Sequence, residues 1–103
     1  MVLRIMQRKG FWSKTILRLE GRLIAEVAAL LESECAELLG ERHQVSLDLA
    51  GVSFVDRSGT EALQRLSRAG IEILCPSGPV AGVLEGAGVR ITVDVEGVDD
   101  GRH

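Results

Sequence analysis

Leu47-Asp48-Leu49-Ala50-Gly51-Val52-Ser53-Phe54-Val55-Asp56-Arg57-Ser58-Gly59 is the stretch on which the fold turns. Val45-Ser46-Leu47-Asp48-Leu49 alternates apolar and polar residues, the period of a strand with one buried face. The run continues through Val52-Ser53-Phe54-Val55, turns at Asp56-Arg57-Ser58-Gly59 and enters a helix. Ala62, Leu63, Leu66 and Ala69 give that helix an apolar face, with Glu61, Gln64, Arg65 and Arg68 expected in water and Gly70 as its stop.

Upstream, apolar residues recur at helical spacing from Leu23 onward: Leu23, Ile24, Val27, Ala28, Leu31, Cys35, Leu38 and Leu39, with Gly40 as terminator. Before them, Val2 to Met6 and Thr15 to Leu19 read as two strands of a hairpin, joined by a loop over Gln7 to Lys14 that carries Phe11 and Trp12. Downstream, Ile71 to Leu74 is a short apolar strand. Ser77-Gly78-Pro79 opens a third helix over Pro79 to Glu85, weakened by Gly82, and a last strand is expected over Arg90 to Val93. Strands alternating with amphipathic helices imply parallel pairing through crossovers. The expectation is an α/β domain with a mixed, mostly parallel sheet of about five strands, the first an antiparallel edge. The domain spans 1–93, and 94–103 is an acidic tail expected to fray.

Composition narrows the function. With 103 residues the chain has room for one core. Its 46% hydrophobic and 26% charged residues are those of a globular domain. A net charge of −3 with scattered Lys and Arg offers no basic stripe for nucleic acid. No apolar stretch approaches the roughly 18 residues that begin to argue for a membrane span, and the start Met1-Val2-Leu3-Arg4-Ile5 does not read as a signal peptide, so direct membrane insertion is not expected and the cytoplasm is. Cys35 and Cys75 lack metal or redox spacing and read as buried thiols. His43 and His103 do not suggest a metal site, and the glycines form no phosphate loop, so no cofactor is implied. Asp48 and Asp56 have no partner acid or histidine that the sequence can place, which argues against an enzyme. Phe11-Trp12 reads either as a partner anchor or as a cover for one end of the core.

The quoted stretch, followed by Ala62-Leu63-Leu66, resembles the central motif of STAS domains, which include bacterial anti-sigma factor antagonists. Leu19-Glu20-Gly21-Arg22-Leu23, Ile73-Leu74-Cys75-Pro76-Ser77 and Val83-Leu84-Glu85 extend the resemblance over about Leu17 to Val93. It implies a protein partner, an anti-sigma factor or serine kinase, docked through the Ser53–Thr60 turn and the following helix. The partner-binding residues would be Ser53, Asp56, Arg57, Ser58, Gly59, Thr60 and Gln64. Ser58 matches the family's phosphoacceptor, the serine before the glycine. The same residue also reads as the N-cap of a capping box, Ser58-Gly59-Thr60-Glu61, in which Glu61 would reach back to the Ser58 amide.

Three features depart from the antagonist pattern. Arg57 stands where another serine is usual, Thr60 stands where leucine is common, and the final helix of the family is missing from the expected elements. A partner or a second copy in a homodimer would then cover the surface which that helix protects. The alternative function implied by the resemblance is a constitutive STAS subunit of a lipid-transport ATPase or a stress-signalling complex.

Overall fold

The computed structural model of the chain describes residues 3–9, 14–41 and 44–92. Strands β1 (Leu3–Lys9) and β2 (Lys14–Leu23) are followed by helix α1 (Ala25–Gly40), strand β3 (Gln44–Val55), helix α2 (Arg57–Arg68), strand β4 (Glu72–Leu74) and helix α3 (Pro79–Gly86). The sheet runs β1-β2-β3-β4, with β1 antiparallel to β2 and the other pairings parallel. The antiparallel edge and parallel interior match the expectation. The fifth strand does not. Thr92 makes a single parallel bridge to Leu74, through Thr92 N–H to the Ile73 carbonyl at 2.7 Å and Cys75 N–H to the Thr92 carbonyl at 3.0 Å. Val93, the acidic tail, Phe11-Trp12 and both histidines lie outside the described residues.

Period two decides which face of the sheet is buried. Along β2, Thr15, Leu17 and Leu19 are fully buried while Ile16, Arg18 and Glu20 point the other way. Leu47 and Leu49 of β3 and Ile73 of β4 continue the buried face, and Leu31, Cys35, Leu63, Leu66, Ala81 and Leu84 from the three helices join them in one core. All three helices therefore pack on one side of the sheet. The opposite face is polar: Arg18 bridges Glu20 (3.2 Å) and Asp48 (3.4 Å), and the buried Ser46 hydroxyl donates to Glu72 at 2.9 Å. Both cysteines are buried and free. Burial, aided by the charges of Glu34 and Glu32, pushes the Cys35 thiol up to about 12, and burial raises Cys75 as well.

Two boundaries differ from the sequence expectation. Leu23 ends β2 instead of opening α1, because it pairs with Val55 at the far end of β3, and the helix starts at Ala25. Ala69 is exposed at the C-cap of α2 instead of completing the apolar face. Helices α1 and α2 are joined by a two-pronged ion pair, Arg65 Nε to Glu32 Oε2 at 2.7 Å and Arg65 Nη2 to Glu32 Oε1 at 2.9 Å.

The Arg65 hydrogen bonds hold the Glu32 carboxyl below the usual carboxylate range, against a smaller opposing effect of burial. A carboxylate depressed in the folded state contributes stability that is complete above its unfolded value and disappears as pH falls through the folded one. Glu32→Gln should therefore lower stability in urea unfolding at neutral pH, and the gap to wild type should close below the usual carboxylate range. Gly82 lies exposed in α3, without a left-handed backbone and with nothing within 4 Å of a would-be Cβ. Gly82→Ala should stabilise the domain by about 0.5–1 kcal/mol, read as a rise in the urea midpoint.

Candidate functional site

The turn between β3 and α2 is fixed by one carboxylate. Asp56 has extended backbone angles (φ −89°, ψ −175°) and caps α2: its Oδ1 accepts the Gly59 N–H at 2.7 Å. Its Oδ2 accepts the N–H of Ala25, the first residue of α1, at 3.0 Å. The Asp56 N–H in turn donates to the Leu23 carbonyl at 3.1 Å. One residue thus satisfies an orphan amide at the start of each of two helices and closes the end of β2 against the end of β3.

Gly59 is required by proximity rather than by backbone angle. A Cβ there would overlap the Leu23 carbonyl oxygen and press on Leu23 Cγ and Val55 Cγ1, each 3.0 Å away. Thr60 is buried, and its Oγ1 donates to the Asp56 carbonyl at 3.0 Å, so the departure from leucine at this position serves the turn. Ser53 lies on the exposed approach, with its hydroxyl 3.3 Å from the Gly21 carbonyl at a residue of positive φ (113°).

The capping box at Ser58 is overturned. Asp56, two residues earlier, is the cap, and Ser58 is the second residue of α2. Glu61 reaches Arg57 instead, at 3.5 Å. The chain offers two good capping residues before the same helix, and the carboxylate wins because the end of β3 aims it at two amides at once. The Ser58 side chain is half-buried and its hydroxyl bonds to no other described residue. Arg57 is 93% exposed. Gln64 corrects a second expectation: it is half-buried rather than in water, and its Nε2 donates to the Ala87 carbonyl at 2.7 Å, tying α2 to the end of α3.

The sequence reading missed a neighbouring apolar surface. Phe54 and Val83 are about half exposed (50% and 52%) and line a shallow groove with Ser53, Val55, Pro79 and Val80. A second groove shares Val55 and Val83 and adds Asp56, Arg57, Thr60, Glu61 and Gln64. Together they place apolar and polar contact area along the end of β3 and the start of α2. Strict alternation would place Phe54 on the same face as buried Val52; the register shift between Gly21 and Arg22, opposite Val52 and Phe54, breaks that phase and leaves Phe54 exposed. Among the described residues no cluster of three or more His, Cys, Asp or Glu could hold a metal ion, and no helix is long and apolar enough to cross a membrane.

Gly59→Ala should destabilise the domain by about 1–3 kcal/mol, because helix and strand must separate to admit the methyl group. Asp56→Ala, which strips both helix starts, should cost at least the roughly 1–2 kcal/mol of a single cap. Asp56→Asn should recover part of that. Urea midpoints check all three.

The chain resembles several solved structures. It superposes on an anti-sigma factor antagonist from Mycobacterium paratuberculosis with a TM-score of 0.78 at 11% identity, covering 92% of this chain and 89% of that one. The Bacillus cell fate determinant SpoIIAA in its phosphorylated form gives 0.61 at 16% identity, covering 96% and 100%. The murine Slc26a9 anion transporter gives 0.63 at 19% identity, covering 85% of this chain and 17% of the transporter. Among curated proteins none matches the chain by sequence. The family model of the STAS domain matches residues 3–96, and with the sheet order and the β3–α2 turn already described, the chain belongs to the STAS domain family.

Proposed function

We propose that the chain is a non-enzymatic partner-switching protein of the anti-sigma factor antagonist kind, which docks a protein partner through its β3–α2 turn. The docking surface comprises Ser53, Asp56, Arg57, Ser58 and Gln64 together with exposed Phe54 and Val83, shaped from beneath by buried Gly59 and Thr60, and the partner is an anti-sigma factor or serine kinase in the cytoplasm. The observation that carries this reading is the Ser58 hydroxyl. Its neighbours Asp56, Gly59 and Thr60 each have a structural task, whereas Ser58 caps nothing and bonds to no other described residue.

Phosphorylation of Ser58 would form an Oγ–P bond as the bond between the γ-phosphate and ADP breaks, with the serine proton passing to a base of the kinase. The product adds a charge of about −2 at the start of α2, where helix amides and the Arg57 guanidinium tolerate it internally. An acidic partner would be repelled, and the apolar contacts beside it would be lost with the docked state.

A second reading, a subunit that docks constitutively as in lipid-transport ATPases or stress-signalling complexes, is favoured by Arg57, which stands at the antagonists' second serine. A pull-down from the source cell with wild type, Ser58→Ala and Ser58→Asp separates the two. Partner switching predicts an ATP-binding regulator retained by the first two and lost by the third, with intact-mass spectra showing one phosphate on wild type only. The same partner retained by Ser58→Asp would overturn the switch and leave constitutive docking.

A further inference from the structure

Several basic side chains are matched by acids: Arg18 by Glu20 and Asp48, Arg57 by Glu61, Arg65 by Glu32 and Lys14 by Glu72. Arg4, Arg8, Arg22, Arg68 and Arg90 have no acid partner among the described residues, and of these Arg68 and Arg90 fall together. Both are exposed, and neither has an ion pair or side-chain hydrogen bond with another described residue. They nevertheless line one cleft of about 260 Å³, between the C-terminal half of α2 and the segment that leaves α3, with Gln64, Ser67, Gly88 and Val89. Among the described residues no carboxylate lines it.

The Gln64 side-chain amide and the backbone N–H groups of Gly88 and Val89 are already engaged, by the carbonyls of Ala87, Glu85 and Leu84, and two further donors of the cleft are not. The Ser67 hydroxyl and the Arg90 backbone N–H bond to no other described residue. Gly88 has a left-handed φ of 80° and open space where a Cβ would stand, so the backbone can be approached closely there. A cation near the end of α2 is favoured by the helix dipole, which accounts for Arg68 on its own. It does not account for Arg90, nor is Arg68 needed as a cap: the last carbonyls of α2, those of Arg65, Leu66 and Ser67, already accept from Ala69, Gly70 and Ile71.

Arg68 and Arg90 give the cleft two positive charges, which favour an anion there. A tetrahedral oxyanion matches the planar fork of arginine and accepts from hydroxyl and amide donors at once. We propose that the Arg68–Arg90 cleft binds a phosphate-class oxyanion, either free inorganic phosphate or the phosphate of a small monoester. Ser58 does not line this cleft, which shares only Gln64 with the proposed docking surface, and the inference does not rest on the partner-switching reading.

Titration of ¹⁵N-labelled protein with inorganic phosphate at constant ionic strength, and separately with glycerol phosphate, tests the site. The expected result is a saturable response in the millimolar range or tighter, with the largest amide shifts at Ser67, Gly88 and Arg90. Arg68→Gln and Arg90→Gln should each weaken it about tenfold, the loss of one charge-assisted contact. Arg68→Lys and Arg90→Lys, which keep the charge, should weaken it less, and Ser58→Ala should titrate as wild type. Tighter binding of glycerol phosphate assigns the site to a monoester, and equal or weaker binding assigns it to the free ion. A response that does not saturate, that maps elsewhere, or that survives both glutamine variants would overturn the proposal.

Discussion

The two oxygens of the Asp56 carboxylate hold the amides of Gly59 and Ala25, residues that belong to different helices and lie 34 positions apart. A helix start leaves amides without partners, and two such starts brought together at the end of a sheet double the demand. A carboxylate answers both at once and adds a charge of the sign that each helix dipole favours. The arrangement works only if α2 sits close to the end of β2, and Gly59 is what allows it to sit there. The position of Ser58 on the surface follows from this knot rather than from any contact of its own.

The rest of the molecule is organised around that end of the sheet. All three helices share one core on one face, so the opposite face is left to the Arg18–Glu20–Asp48 cluster and the Ser46–Glu72–Lys14 set. Exposed pairs of this type contribute little to stability. Their effect is to give a polar character to the sheet face that the described helices leave uncovered. Among the described residues the exposed large apolar side chains are Leu30 on α1 and the pair Phe54 and Val83 next to the turn.

The periodicity of α1, the alternation of Val45 to Leu49 and the helix after Gly59 were legible in the sequence because burial repeats at a fixed interval. So was the antiparallel edge, from the hairpin pattern. What was not legible depended on geometry across the chain. Asp56 and Ser58 are both good caps by residue type, and only the neighbouring start of α1 decides between them. Gln64 looks solvent-facing on a helical wheel, yet α3 brings the Ala87 carbonyl within its reach. Arg90 to Val93 has the composition of a strand, but among the described residues only Thr92 meets β4, itself three residues long. The clefts beside Phe54 and Arg90 are made by residues distant in sequence, and no local pattern announces them.

The strand order β1-β2-β3-β4 has a consequence for how the molecule is made. Each strand pairs with the one before it, so no strand waits for a later segment to be inserted beside it. Loop closure at every step spans a single hairpin or a single strand–helix–strand unit, which keeps its entropic cost low. A chain emerging from the ribosome can therefore extend its sheet one edge at a time, from the N-terminus onward. The carboxylate knot at Asp56 can form once β3 has joined and α2 has begun, before β4 and α3 have been synthesised.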